Sequence, residues 1–211
     1  MKKSLLLCSL MALKLITAHG QVIDSSWTVN TIIPVGNPVG VPFSETFQNL
    51  SSDPISSVSV NLDISGGYNG GLYGYLTLQE TGGATATEVL LNHVGTTPSN
   101  QLGSDGAGFE NITLSDAGTA NGSIHNATGV PTGLWQPDSP NTLNGTFGGM
   151  TANGTWTLFL ADLDAGTPTP TLVSWGLNVG TTAVPEPASE WMAGFGGLLF
   201  LAGRIIRNRR K

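Results

Sequence analysis

Between Asn153 and Val179 the chain alternates apolar and polar side chains with a period of two, on either side of a break. In a run from Thr155 to Asp162, Trp156, Leu158 and Leu160 fall on one face and Thr155, Thr157 and Phe159 on the other. In a second run from Thr171, one face carries Val173, Trp175, Leu177 and Val179. Such alternation of β-branched and aromatic residues is the mark of strands with one buried face. Asn153-Gly154 opens the first run as a turn pair, while Gly166, Pro168 and Pro170 keep the connecting segment out of a sheet. The pattern predicts a closing hairpin on which the upstream chain packs.

The same period recurs upstream. Ile55 to Ser65 puts Val58, Val60, Leu62 and Ile64 on one face. Leu72 to Gln79 puts Leu72, Leu76 and Leu78 on one face and Tyr73, Tyr75 and Thr77 on the other. Between them lie Gly66, Gly67, Asn69, Gly70 and Gly71, residues that tolerate positive φ, so a second hairpin is expected. Further strands are predicted over Glu88 to Val94 and Phe109 to Leu114, and a short one around Trp27, Val29 and Ile33. Pro34, Gly36, Pro38 and Pro42 then predict a loop. Ala117 to Met150 is rich in Gly, Asn and Pro, and a connection that long either serves function or holds small elements of its own. The fold class is all-β, in one domain.

The two ends differ in kind. Lys2 and Lys3, an apolar run from Leu5 to Leu13 and the small residues Ala18 and Gly20 predict a secretory signal peptide over 1–20, with Gln21 as the first mature residue. At the other end, Val184-Pro185-Glu186-Pro187 precedes an apolar segment and a basic terminus. The expected organisation is 1–20 leader, 21–56 amino-terminal strand and loops, 57–180 main β domain, 181–190 linker, 191–206 apolar segment and 207–211 basic tail. The uncharged stretch from Trp191 to Ala202 is short for a membrane span, and the basic cluster would hold this end at the cytoplasmic face.

Charge sharpens this picture. All 8 Lys and Arg lie at the two ends, and Gln21 to Ala183 has none, while 12 of the 14 acids fall in that span. The body is therefore near −12, although the whole chain is −6. Such a surface repels nucleic acid, whose binding rests on basic contacts to phosphate. It suits solubility after export, or metal cations. The single cysteine, Cys8, lies in the leader, so the body folds without a disulfide and relies on its core.

Two family resemblances follow from these motifs. NGTWTLFLAD with TLVSWGLNV resembles the closing strands of the P domain (Homo B domain) of subtilisin-like proprotein convertases. VNLDISGGYNGGLYGYL, VLLNHVG, GFENITLSDAG and GLWQPD resemble earlier segments of that family in the same order, over Ser57 to Gly180. The resemblance implies a jelly-roll β-sandwich. The family pattern carries an acid at the position of Gly71, often two acids at Ser115-Asp116, and Gly-Gly-Asp at Gly166-Thr167-Pro168, so this chain has lost acids there. The C-terminal end resembles a PEP-CTERM sorting signal: Pro185, Glu186 and Pro187, an apolar segment, then Arg204, Arg207, Arg209 and Arg210. It implies a Gram-negative envelope, with signal peptidase and an exosortase-type enzyme as processing partners and a transient or lasting membrane anchor.

The candidate chemistry is sparse. A serine protease needs a nucleophile, a base and an orienting acid. The mature chain offers only His93, expected on a strand as a packed or edge residue, and His125, expected exposed in a loop. No catalytic residue, zinc spacing or Gly-x-Ser-x-Gly motif is present. Calcium is the candidate cofactor, with Asp105, Glu110 and Asp116 as first ligands and Asp162 and Asp164 as second. Tyr68, Tyr73, Tyr75 and Trp135 could stack on sugars or simply pack. Asn49, Asn111, Asn121, Asn126, Asn144 and Asn153 fit the glycosylation pattern, although turn chemistry accounts for most of them. The reading is a secreted, non-catalytic module, structural or adhesive, with an exopolysaccharide or envelope protein as partner and no role for nucleic acid. Its alternatives are an accessory domain for a subtilisin-like serine endopeptidase and a carbohydrate-binding module.

Overall fold

The computed structural model describes Gly20 to Ala183. Residues 1–19 of the leader and residues 184–211, with Pro185, Glu186, Pro187, Arg204, Arg207, Arg209 and Arg210, lie outside the described residues. The elements in order are β1 (Val22–Ile32), β2 (Val41–Phe47), β3 (Ile55–Ser65), β4 (Leu72–Glu80), β5 (Thr85–Asn92), β6 (Gly108–Ser115), β7 (Thr132–Trp135), α1 (Leu143–Phe147), β8 (Gly154–Asp162) and β9 (Thr171–Thr181), with short 3-10 turns at Asn69–Gly71 and Ile124–Asn126. A five-stranded sheet runs β1-β9-β3-β6-β7 and a four-stranded sheet runs β2-β8-β4-β5. Leaving out β7, the orders 1-9-3-6 and 2-8-4-5 are those of a jelly roll. Among the described residues no helix is long and apolar enough to cross a membrane.

Both expected hairpins are corrected. β8 and β9 lie in different sheets, as do β3 and β4, so each connection turns a corner of the sandwich. Alternation reports that one face is buried, not whether the next strand pairs beside it or packs across from it. The real hairpin is β4 with β5, closed by a turn in which Glu80 N donates to Ala84 O at 2.8 Å.

Two local details also differ. Val173 is only half-buried, because the pairing of β3 with β9 slips between Asp63↔Ser174 and Ile64↔Leu172. The bulge turns Leu172 into the core in its place, as one extra residue inverts the alternation. Pro42, expected in a loop, sits inside β2. That strand is an edge, bonded to β8 alone, and an edge tolerates a residue without an N–H.

The core fills from inward positions of both sheets. Trp156 is fully buried, its indole N–H donates to Ala152 O at 3.2 Å, and its ring lies 5.2 Å from that of Phe147 on α1. Trp27 and Trp175 stand opposite in register, ring centroids 4.5 Å apart. Helix α1 is held by Asp116, whose two carboxylate oxygens each accept a backbone N–H, from Leu143 and Asn144, both at 2.8 Å. Val22 pairs with Gly180, so the described chain enters and leaves at one end of the sandwich, here the base. The opposite end, the top, gathers the loops 33–40, 66–71, 93–107 and 163–170.

Candidate functional site

The top is built around Asn69, which is fully buried. Its Oδ1 accepts from Gly108 N and its Nδ2 donates to Gly129 O, each at 3.0 Å. Gly70 N donates to Ser104 O at 2.9 Å, and a Cβ on Gly106 would collide with the Gly129 carbonyl. The glycine-rich segment is thus a tie among three loops. His93 lies just past β5 in a left-handed turn at φ 52, and its Nδ1 sits 2.8 Å from Gly70 O, which fixes the Nδ1–H tautomer. With Thr96, Thr97, Pro98, Gln101 and Asp164 it lines an open groove of about 490 Å³.

His125 is not a free loop residue. Its Nδ1 lies 2.8 Å from Asp138 Oδ2 and its Nε2 lies 2.9 Å from Thr96 O. Both partners are acceptors, so both nitrogens donate when the ring is protonated. The Asp138 hydrogen bond raises its pKa above the ordinary value; burial works against this, and the Thr96 carbonyl supports it. Ser123 Oγ accepts from His125 N, on the backbone rather than the ring. With neither ring nitrogen open, the arrangement ties loops together and does not activate a nucleophile.

The acids proposed for calcium separate. Asp105 and Glu110 are exposed, near the top, whereas Asp116 is past the far end of β6 and committed to α1. Asp162 is fully buried, and its carboxylate accepts from Asp164 N and Thr167 Oγ1, both at 3.1 Å. Burial raises its pKa despite those bonds. Among the described residues no group of three or more His, Cys, Asp or Glu could hold a metal ion. Gly71 bears on this directly: a Cβ there would lie 2.6 Å from Asp162 Oδ1 and 3.3 Å from Asp164 Oδ2. An acid at that position would face this pair, and here the pair's own carboxylates fill the space.

The proposed aromatics also separate. Tyr68 stands exposed in a top loop, and Trp135 on β7 donates its indole N–H to Thr132 O at 2.8 Å. Tyr73 and Tyr75 meet on the outer face of the four-stranded sheet, joined by Phe159 of β8. Tyr75 and Phe159 stack at 4.6 Å and 14°, and Tyr73 meets Tyr75 edge-on at 6.1 Å. A Cβ on Gly40 would strike the Phe159 ring, so a glycine there leaves room for it. Below the rings Ser44, Thr157, Thr77 and Thr87 form one row across all four strands. Ser44 bonds Thr157 at 2.8 Å, Thr77 bonds Thr87 at 2.9 Å, and in the next row Thr46 bonds Thr155 at 3.0 Å. This grid was missed in the sequence, although the alternation that made Thr155, Thr157 and Phe159 the outward set was the signal for it.

Several asparagines have structural work. Asn153 accepts from Leu50 N at 2.9 Å, Asn144 accepts from Val58 N at 2.9 Å, and Asn49 and Asn111 take positive φ.

No protein-family model matches the chain, and no curated protein matches it significantly. Among solved structures it is similar to the Aeromonas sobria serine protease in complex with a chaperone: 17% identity, TM-score 0.42, covering 78% of this chain and 28% of the other. A second structure, of a serine protease of Aeromonas sobria, gives 16% identity and TM-score 0.39, over 77% of this chain and 27% of the other. The chain thus matches little more than a quarter of the length of those proteins.

Proposed function

We propose that the chain is an exported, non-catalytic module of P-domain type, displayed in the cell envelope or matrix in a structural or adhesive role and sorted by its Pro-Glu-Pro and Arg-rich C-terminal segment. The observation that carries this is the placement of the ends. Residues 21 and 181 bond to each other at the base, Thr181 N donating to Gln21 O at 2.9 Å, so a domain held by its C-terminal segment turns its top loops outward.

The test follows the native protein in a Gram-negative host. Amine-free surface labelling through carboxylates should mark it on intact cells. Intact mass should show a start near Gln21 and loss of residues beyond Pro185-Glu186-Pro187. A cytosolic protein still beginning at Met1 would overturn the reading.

The second reading is a docking module for a separate subtilisin-like serine endopeptidase. It is favoured by the five P-domain-like blocks, which fall in order on β3–β4, β5, β6, β7 and β8–β9. Casein cleavage by a co-expressed protease that depends on adding this chain separates the two.

A further inference from the structure

The outer face of the four-stranded sheet reverses the usual distribution of charge. A solvated sheet face ordinarily carries the charged residues and the inner face the apolar ones. Here the four acids of these strands, Glu45, Glu80, Glu88 and Asp162, all hold inward or edge positions. Glu45 pairs with Trp156 and Glu80 with Gly154, each on the inner side of β8. Glu80 accepts from Thr151, and buried Glu88 accepts from Thr146. The outward positions carry Ser, Thr, Gln, Asn, Pro, Ala, Val, Tyr and Phe, and no charge, in a body of 12 acids and no Lys or Arg.

We infer that this face binds an uncharged polysaccharide of extended, flat chains, and that it is the adhesive surface of the module; the inference rests on the adhesive reading above. Three observations converge on that partner. First, the Tyr73, Tyr75 and Phe159 cluster presents partly exposed apolar rings to the C–H groups of a sugar, with two phenol hydroxyls at its border. Second, each bonded hydroxyl pair uses one donor and one acceptor. One O–H and several lone pairs per pair remain for the donor-and-acceptor hydroxyls of a sugar. Their mutual bonds also fix the side chains before a ligand arrives, which lowers the ordering cost of binding. Third, the charge matches: an anionic polymer is repelled by the body at large, a cationic protein finds no carboxylate on this face, and a neutral polymer meets no desolvated charge.

The experiment uses the full chain in mild detergent, with microcrystalline cellulose and chitin as neutral probes and alginate as the anionic one. Sedimentation with cellulose or chitin, and none with alginate, is expected. Tyr75→Ala and Tyr73→Ala should each weaken retention by about tenfold. Thr77→Asp, which places a charge at the centre of the grid, should abolish it. Asn61→Asp, on the other sheet's outer face, should leave it unchanged. Unfolding midpoints of all variants are measured, and Tyr75→Phe, which keeps ring and packing, should retain most binding even if an alanine variant is unstable. Failure to bind either neutral polymer overturns the inference, as does binding that Thr77→Asp leaves intact. Self-association that disappears in Thr77→Asp would also overturn it and make a second copy the occupant. Surface display without polymer binding removes only this inference; polymer binding by a protein that is never exported removes only the envelope role.

Discussion

The two outer faces of the sandwich come from the same period-two code and end up chemically opposite. On the five-stranded sheet the outward positions include Asp24, Asp63 and Glu110 among Ser, Thr and Asn. On the four-stranded sheet they hold paired hydroxyls and stacked rings, and the acids turn inward. The first face keeps its charges in water, although Val22, Ile32 and Leu134 also stand exposed on it. The second gives up that easy solvation, and its inward acids need individual partners: Thr151 for Glu80, Thr146 for Glu88, and Thr167 with Asp164 N for Asp162. Solubility alone would favour the reverse arrangement, so the difference points to a surface kept neutral for contact.

The largest way to break the comparison is to remove the support beneath the neutral face. Trp156→Ala should destabilise the domain by about 3–5 kcal/mol in denaturant unfolding, because the fully buried ring would leave a cavity against Phe147. Asp63→Ala on the other outer face should stay within about 0.5 kcal/mol. Next, Tyr75→Ala should lower stability by roughly 1 kcal/mol through loss of the Phe159 stack, and a cycle with Phe159→Ala should show that the two are coupled. An additive cycle would mean that the rings serve no mutual packing and face outward independently. Thr157→Val should cost at most about 1 kcal/mol, since one cross-strand hydroxyl pair is lost while the β-branched shape is kept.

The smallest effect is pH dependence, and it sharpens the same contrast. Asp162 has a raised pKa in the fold, so the folded state takes up a proton sooner than the unfolded chain, and stability falls as pH rises above the ordinary Asp range. His125 is also raised, so its contribution is complete below its ordinary value of 6.5 and is lost as pH rises through the folded value. Both slopes have one sign: the thermal midpoint should be higher at mildly acidic pH than at alkaline pH. Asp162→Asn should flatten the acid side and His125→Asn the neutral side. The His125 share is modest because its side chain is 32% exposed. A midpoint that rises from mildly acidic to alkaline pH would contradict both assignments.

Most of the strands were legible because inward Leu, Ile, Val and Trp alternate without interruption over Val58 to Ile64 and Trp156 to Leu160. Their pairing was not, since a jelly-roll corner and a hairpin demand the same alternation, and only the sheet order separates them. β2 was hidden because Pro42 reads as a breaker until the strand is known to be an edge. α1 has only five residues, and beside its local cap at Thr142 its start is held by Asp116, 27 positions earlier, a link no local pattern carries. The candidate site divided in the same way. Tyr73 and Tyr75 share a face by spacing alone, whereas Phe159 and the four-strand hydroxyl row needed the register. His125 looked like a loop residue because both of its acceptors, Thr96 and Asp138, are remote in sequence.

The pairing of the first and last strands has a mechanical consequence. β9 lies between β1 and β3 and is bonded along both sides. A pull on the C-terminal end, directed along the strand, enters the sheet through β9 and loads those two ladders in shear. Many hydrogen bonds then share the force at once, where a pull across an edge strand would part them one after another. A domain tethered at its C-terminus and loaded through its far surface is therefore stressed in the direction in which this sheet resists extension most.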